Sequence, residues 1–280
     1  MPLFVVPTPL GNLGDITRRA IEVLRDADLI VAEDTRVARK LLNAYEIGPK
    51  ELWSYREQNA AAATAGILER AREQRVAVVT DAGMPGISDP GSDLVAAARE
   101  IGIAGEVLPG PSALLGAAVL SGFNLRRFTF EGFPPRTSSA RREYFSGALR
   151  SGTTTIWYES PQRIVAALAD LGAVAPDARV FLVREYTKRF EQQLLGTPES
   201  VAHGLAIPVR GEISFAVAPY TRTEPDPAPA DLDAEIDGLL AKGLPVAEIA
   251  KRLTRLGMGD RRSLYERAAK RKSANTESLQ

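Results

Sequence analysis

The sequence of 280 residues contains no cysteine. That excludes disulfides, a thiol nucleophile and cysteine-based zinc sites, and it fits a cytoplasmic protein. There is a single histidine, His203. A Ser-His-Asp triad or a multi-histidine metal site would have to be built around that residue, and no motif surrounds it. Long apolar runs are also missing: none approaches the ~20 residues that a membrane span needs. In the opening MPLFVVPTPLGN, Pro7 and Pro9 interrupt an apolar stretch with no basic residues before it. This reads as a first strand rather than a secretion signal. Net charge is zero, with 35 basic residues against 35 acidic, so any affinity for nucleic acid must come from uneven placement. Two nucleotide signatures are absent as well. No G-x-G-x-x-G follows the first strand and no G-x-x-x-x-G-K-[ST] occurs, which disfavours a standard dinucleotide site or a P-loop ATPase.

What is present is an ordinary globular composition, 45% hydrophobic and 25% charged. Short β-branched runs predict strands at 3–6, 28–32, 75–80, 103–108, 128–132, 153–158, 179–184, 190–195 and 212–217. Helical patterns fall between the early ones, at 16–27 behind an expected Asp15 cap, at 59–74 and at 93–102. Strand–helix alternation predicts an α/β fold with a largely parallel first sheet, and closer strand spacing predicts a mixed second sheet. The expected organisation is an α/β domain over 1–120, a second over 121–220, a linker over 221–232, a small helical domain over 233–272 and a disordered tail over 273–280.

The charge is indeed uneven. Residues 126–142 carry five arginines against Glu131 alone, and residues 242–272 carry ten Lys/Arg against three acids. Between the body and this basic tail lies YTRTEPDPAPADLDAEID, whose prolines at 225, 227 and 229 and flanking acids mark a linker. In PVAEIAKRLTRL the residues Val246, Ile249, Ala250, Leu253 and Leu256 form one helical face. Gly257–Gly259 breaks it, and Asp260 caps a second helix. Two short basic helices joined by a glycine turn are similar to a helix-turn-helix module, although a purely structural hairpin has the same pattern. Nucleic-acid contact is favoured over a merely solvated face because the imbalance is large and segregated behind a linker.

Three loops at strand ends are candidates for chemistry. VVPTPLGNLGDITRRA runs from a strand through prolines and glycines into a helix, the position where parallel sheets bind ligands. VVTDAGMPGISDPGSD is long and rich in Gly, Pro and Asp, with backbone groups available to a polar ligand. EVLPGPSALLGAAVLSG ends a strand and places Ser112 at a helix start, where it serves equally as a cap.

These motifs, together with AEDTR, EGFPPR, YESPQRI and REYTK, resemble in order the ribosomal RNA small subunit methyltransferase I family of the tetrapyrrole methylase superfamily. The likeness spans about residues 3–220, and the basic helical tail is similar to that family's C-terminal domain. The resemblance implies two α/β domains with S-adenosylmethionine (SAM) in the cleft between them, usually in a homodimer. It implies 2′-O-methylation of a decoding-centre cytidine in 16S rRNA, within the 30S subunit. It also implies a cofactor shell of Leu10, Asp81, Ala82, Gly83, Met84, Ile87, Ser112, Ala113 and Tyr158. The backbone reading favours loops 81–88 and 109–113 independently. Leu10 and Tyr158 rest on the resemblance. Where the family often has threonine, this sequence has Met84, which removes a hydroxyl. A valine in place of Gly83 is expected to fill space left for the ligand.

Methyl transfer from a sulfonium needs no metal, only alignment and a way to handle the proton of a poor nucleophile. Glu159, Arg184, Glu185 and Lys188, at strand ends of the second domain, are the expected catalytic group, with ion pairing between strand ends as the alternative. Glu33, Asp34 and Arg36 form a further polar cluster. Arg136, Arg141, Arg142, Arg261 and Arg262 are the expected RNA contacts. Two other readings stay open: a tetrapyrrole methyltransferase, whose first loop is usually G-x-G-P-G-D-like and not PTPLGN, and a non-catalytic RNA-binding protein of the same fold.

Overall fold

A computed structural model describes residues 2–220, 229–255 and 258–277. They fall into two compact units, divided between Tyr220 and Thr221. In chain order the first unit begins β1 (Leu3–Val5), α1 (Arg18–Asp26), β2 (Leu29–Ala32), α2 (Thr35–Ala44), β3 (Glu51–Ser54), α3 (Ala60–Ala71), β4 (Val76–Val79), α4 (Ser92–Glu100) and β5 (Gly105–Val107). These strands form one parallel sheet in the order β3-β2-β4-β1-β5. β2 and β4 are buried along their whole length. Both faces are covered by helices, which is why they read as uninterrupted apolar runs. One core lies on each face: Leu24, Ile30 and Ala77 on one, Leu29, Ile67 and Val78 on the other.

The chain continues through α5 (Ala113–Ser121), β6 (Phe128–Phe130), α6 (Ser138–Leu149), β7 (Thr154–Glu159), α7 (Ile164–Val174), β8 (Val180–Arg184), β9 (Gln192–Gly196), α8 (Pro198–His203) and β10 (Ile213–Val217). The second sheet has the order β6-β7-β10-β8-β9, with β6 and β7 parallel and the other pairs antiparallel. Its core is aromatic. Trp157 is fully buried, stacks on Phe215 at 6.0 Å and meets the edge of Phe145 at 5.0 Å, each pair adding about 0.5–1.5 kcal/mol beyond the buried area.

Several expectations are corrected. Strand β3 is additional to the expected strands, because ELWS is a half-exposed edge strand without an apolar run. Helix α2 begins within the polar cluster, with Asp34 as its cap. The cap of α1 is Thr17, whose Oγ1 accepts from the Ala20 N–H at 3.1 Å, while Asp15 closes a 3-10 turn. Helix α5, assigned with the first 120 residues, packs through Leu114, Ala117 and Ala118 on Ile156, Phe181 and Ala216 of the second sheet.

The second unit contains α9 (Pro229–Ala241), α10 (Val246–Arg255) and α11 (Arg261–Glu277). Its core is Ile236, Leu239, Ile249, Ala250, Leu253, Leu264 and Ala268. Asp260 does cap α11, its Oδ1 accepting from the Arg262 and Ser263 N–H groups at 3.0 Å each. Residues 229–232, expected in the linker, belong to α9, and residues 273–277, expected to be disordered, continue α11. The rest of the linker, 221–228, Leu256 of the expected helical face, Gly257 of the glycine turn and residues 278–280 lie outside the described residues. Among the described residues no helix is long and apolar enough to cross a membrane.

Candidate functional site

Because β1 lies between β4 and β5, the loops that follow these strands leave the carboxyl edge of the first sheet side by side. The first two are zipped together: the Thr8 N–H donates to Gly83 O at 2.9 Å and the Gly83 N–H to Thr8 O at 3.0 Å. Thr8 Oγ1 also donates to Thr80 O at 3.1 Å. Gly83 has φ +81°, and a Cβ there would meet Leu10 Cδ2 at 3.1 Å. A side chain at 83 therefore strains the backbone and presses on Leu10, which itself lines the cavity that these loops border. In the third loop Ser112 caps α5, its Oγ accepting from the Leu115 N–H at 3.4 Å.

The second sheet supplies the opposite wall. In its register Ile213 faces both Glu159 and Arg184, so the end of β7 and the start of β10 share one edge. A cavity of about 390 Å³ lies between the loops and this edge. Leu10, Asp81, Ala82, Gly83, Met84, Ile87, Ser112, Ala113 and Tyr158 all line it, joined by Phe133, Pro161 and Ser214. The Tyr158 ring is held edge-on by Phe130 at 4.9 Å and Phe133 at 5.8 Å, and burial pushes its hydroxyl up to about 12.

Five carboxylates reach the same cavity: Glu33, Asp81, Asp89, Glu159 and Glu212. Burial raises the carboxyls of Glu33 and Asp81, and each is raised further by a neighbouring acid. Burial, with Glu33, Asp81 and Glu212 nearby, pushes Asp89 up to about 7. Asp34 of the expected polar cluster is instead held low by its hydrogen bonds with Arg36 and caps α2. Among the described residues no group of acidic or histidine side chains is clustered so as to hold a metal ion.

The expected catalytic group separates into residues on the cavity wall and residues off it. Glu159 is fully buried; its Oε1 accepts from the Ser160 N–H at 2.7 Å and its Oε2 lies 2.9 Å from Arg163. Arg163 in turn donates to Pro134 O and Pro135 O, so this pair anchors the EGFPPR loop. Arg184 spends its donors on Gln192, Arg210 O and Phe190 O at 3.1–3.2 Å. Lys188 Nζ bridges Glu185 and Glu212, at 3.0 Å from each. Burial acts to raise Glu185, but the Glu212 N–H and Lys188 outweigh it and hold the carboxyl below its usual value. The stem of Lys188 covers Gly11 so closely that a Cβ there would overlap its Cγ. Arg184, Glu185 and Lys188 thus tie the second sheet's edge together and clasp it to the first loop. None of the three lines the cavity. Asp89, which also lines the cavity, is one of three aspartates in its loop that spacing alone does not rank.

The arginines divide similarly. Arg141 is 4% exposed. Its Nε donates to Asp170 Oδ2 at 2.8 Å, a second donor reaches the same oxygen, and Nη1 donates to Arg136 O at 3.2 Å. The expectation of RNA contact is corrected there: Asp170, on α7, takes Arg141 out of reach. Arg142 keeps half its surface while bonding Asp170 at 2.6 Å. Arg126, Arg127 and Arg136 are exposed. In the second unit Arg261 and Arg262 are exposed, whereas Arg267 and Arg271 pair with Asp233 and Asp237 of α9.

Residues 2–202 match the family model described as Tetrapyrrole (Corrin/Porphyrin) Methylases. Among curated relatives, the ribosomal RNA small subunit methyltransferase I of Synechocystis sp. is 38% identical over 268 residues, 94% of this chain and 96% of that one. That of Mesorhizobium japonicum is 36% identical over 282 residues, 98% and 94% of the two chains. That of Thermotoga maritima is 41% identical, covering 77% of this chain and 97% of its own. A crystal structure of diphthine synthase superposes with TM-score 0.61 at 16% identity over 78% of this chain and 90% of that one, a likeness of fold alone. With two sheets of this topology, the cavity between them and identity along nearly the whole length, the chain belongs to the ribosomal RNA small subunit methyltransferase I family, within the tetrapyrrole methylases.

Proposed function

We propose that the protein transfers a methyl group from SAM to the ribose 2′-oxygen of a decoding-centre cytidine in 16S rRNA, acting on the 30S subunit in the cytoplasm. The observation that carries this reading is the meeting, in one cavity between two sheets, of every loop residue that the family resemblance marks for the cofactor. The cavity's chemistry supports it. Leu10, Ile87, Met84, Ala113 and Phe133 offer an apolar wall for a purine, and the carboxylates offer acceptors for ribose hydroxyls and an ammonium group. SAM carries a sulfonium and an ammonium against one carboxylate, and five acids make a field that favours such a cation. Bound there, SAM supplies an electrophilic methyl carbon, and no metal is needed for its transfer. Met84 lines the cavity where the family often has threonine.

The protein's own part is orientation and exclusion of water. Lys188 and the Glu159–Arg163 pair fix the cavity walls, and exposed Arg126, Arg127 and Arg136 are placed to hold phosphates while one nucleotide enters. The exposed apolar row of Leu115 and Val119 on α5 supports pairing with a second copy of the chain.

The test is the product. With SAM and 30S subunits lacking the modification, one cytidine should become resistant to alkaline cleavage, and nucleoside mass spectrometry should place the methyl on ribose. Label on the base, or on a small tetrapyrrole but never on rRNA, would overturn the reading. A second prediction separates fit from folding. Ala113→Leu puts bulk into the cavity at the start of α5 and should weaken SAM binding at least tenfold by calorimetry, with little change in melting temperature. Gly83→Val, with its positive φ and its contact with Leu10, should cost about 1–3 kcal/mol in urea unfolding.

A further inference from the structure

A second cavity, of about 640 Å³, adjoins the first, and Glu33 and Asp89 line both. The two spaces differ in kind. The first has an apolar wall of Leu10, Ile87 and Phe133, whereas the second is lined by Tyr55, Arg56, Glu57, Gln58, Ser92 and Asp93 among others. One side of the second cavity is the turn between β3 and α3, which is pinned from within. The Asn59 side chain accepts from the Arg56 N–H at 2.6 Å and donates to Ser54 O at 2.9 Å. Tyr55 is buried, with its hydroxyl 3.3 Å from Thr64 Oγ1. Arg56 Nε donates to Glu33 O at 2.9 Å, and its guanidinium lies 3.7 Å from Asp34 Oδ2. These contacts fix the plane of the guanidinium and leave half of the side chain exposed. At the tip of the turn Glu57 and Gln58 are exposed, and neither makes a hydrogen bond or ion pair among the described residues.

The opposite side is the start of α4. Its N-cap is Gly91, which has no side chain to cap the helix, so N–H groups of the first turn are left for a ligand's oxygen. A phosphate does not suit the space as a whole, because Glu33, Glu57, Asp89 and Asp93 surround it with a single cation, Arg56. A neutral, flat group with a hydrogen-bond donor on its edge does suit it. Cytosine is such a group. Its exocyclic amino group donates to carboxylates, the rest of its pairing edge accepts, and bases splayed out of RNA stack on guanidinium planes. Uracil presents a carbonyl oxygen where cytosine has the amino group, and a carboxylate there repels it.

We propose that the second cavity is the acceptor subsite, holding the base of one unstacked cytidine on Arg56 while Glu57 and Gln58 read its edge. The inference deepens the proposed 2′-O-methylation and rests on it. Glu57 accepts from the amino group of the base, and the Gln58 amide donates to its ring nitrogen or carbonyl oxygen. The ribose then lies toward Glu33 and Asp89, the side on which the two cavities meet. Arg56, Glu57 and Gln58 do not line the donor cavity, so choice of the acceptor base is separable from binding of the donor.

The test uses the full chain, SAM and unmodified 30S subunits. Glu57→Ala with Gln58→Ala should lower kcat/KM for the subunits at least about tenfold, with SAM affinity by calorimetry within about threefold of wild type. On subunits carrying uridine at the target position, wild type should work at least about tenfold more slowly than on cytidine. Glu57→Gln, whose amide can donate to the uracil oxygen, should close most of that gap. A photoreactive benzoylphenylalanine in place of Gln58 should cross-link on irradiation to the methylated nucleotide or its immediate neighbour. The proposal falls if no cross-link forms or it maps elsewhere in the rRNA, or if the double variant keeps kcat/KM within about threefold of wild type. It falls equally if Glu57→Gln leaves the preference for cytidine unchanged, or if SAM affinity drops in step with rate. The two readings fail separately. A methyl found on the base overturns 2′-O-methylation, and the cross-link still reports whether the modified nucleotide sits beside Gln58.

Discussion

Replacing Asp170 by alanine should destabilise the first unit by about 3–5 kcal/mol, the cost of leaving a buried charge without its partner. Arg141 and Asp170 are both about 5% exposed at their side chains. Arg141 would retain only carbonyl acceptors at Pro135 and Arg136, and Ser138 and Arg142 would lose theirs. At about 2–4 °C per kcal/mol for a unit of this size, the melting temperature should fall by roughly 10 °C. The double variant Arg141→Met with Asp170→Leu should regain most of the loss, since an apolar pair of similar volume avoids the desolvation penalty. Acid sensitivity adds a second readout. Burial acts to raise the Asp170 carboxyl, but Ser138, Arg142 and Arg141 together hold it below its ordinary value. Stability from this group is complete above the unfolded carboxylate pKa of about 4 and is lost as pH falls through the lowered folded value. Stability curves from pH 5 to pH 2 should therefore be flatter for Asp170→Ala than for wild type. Equal melting temperatures, or parallel acid limbs, would refute a structural role for the pair.

This pair also marks the limit of what the sequence makes legible. Strands β1, β2, β4, β7, β8 and β10 were readable because burial on both faces leaves an apolar run. Strand β3 was not, because an exposed edge relaxes that constraint. Arg141 looks like its neighbours in an arginine-rich segment, and only Asp170, on another helix, distinguishes it. The loops that line the cavity are legible for the opposite reason: glycine and proline at strand ends describe backbone geometry, which is local. Which carboxylates are engaged depends instead on partners contributed by distant strands. Glu159, Glu185 and Asp89 are therefore equivalent in sequence and different in space. The tail shows both cases. Asp233 and Asp237 read as linker solvation, yet they sit one turn apart on α9, opposite Arg267 and Arg271, likewise one turn apart on α11.

Removal of residues 221–280 should weaken rRNA binding by about 100-fold at low salt while leaving SAM affinity nearly unchanged. The SAM-sized cavity lies wholly within the first unit, whereas the second unit carries exposed Lys242, Lys251, Arg252, Arg261, Arg262 and Lys270. Arg267 and Arg271 are committed to Asp233 and Asp237 and contribute little to this surface. Arg261 and Arg262 stand in the first turn of α11, where the helix dipole disfavours positive charge by about 0.3–1 kcal/mol each. Asp260 offsets part of this cost by capping the helix, and a phosphate seated among the two guanidinium groups and the helix N-terminus would remove the rest. If four phosphate contacts are lost, the log–log salt slope should flatten by about 3, at roughly 0.7–0.9 per contact. A fourfold rise in salt spans about 0.6 log units, so the 100-fold deficit at ~50 mM should nearly vanish by ~200 mM. Filter binding of 16S rRNA across that range, with full-length and shortened chains, measures both the slope and its change. Arg261→Ala with Arg262→Ala should reproduce about half of the flattening, whereas Arg271→Ala should destabilise the second unit without changing the slope of the protein that remains folded. An unchanged slope after removal of the tail would mean that its basic surface contacts protein instead of RNA.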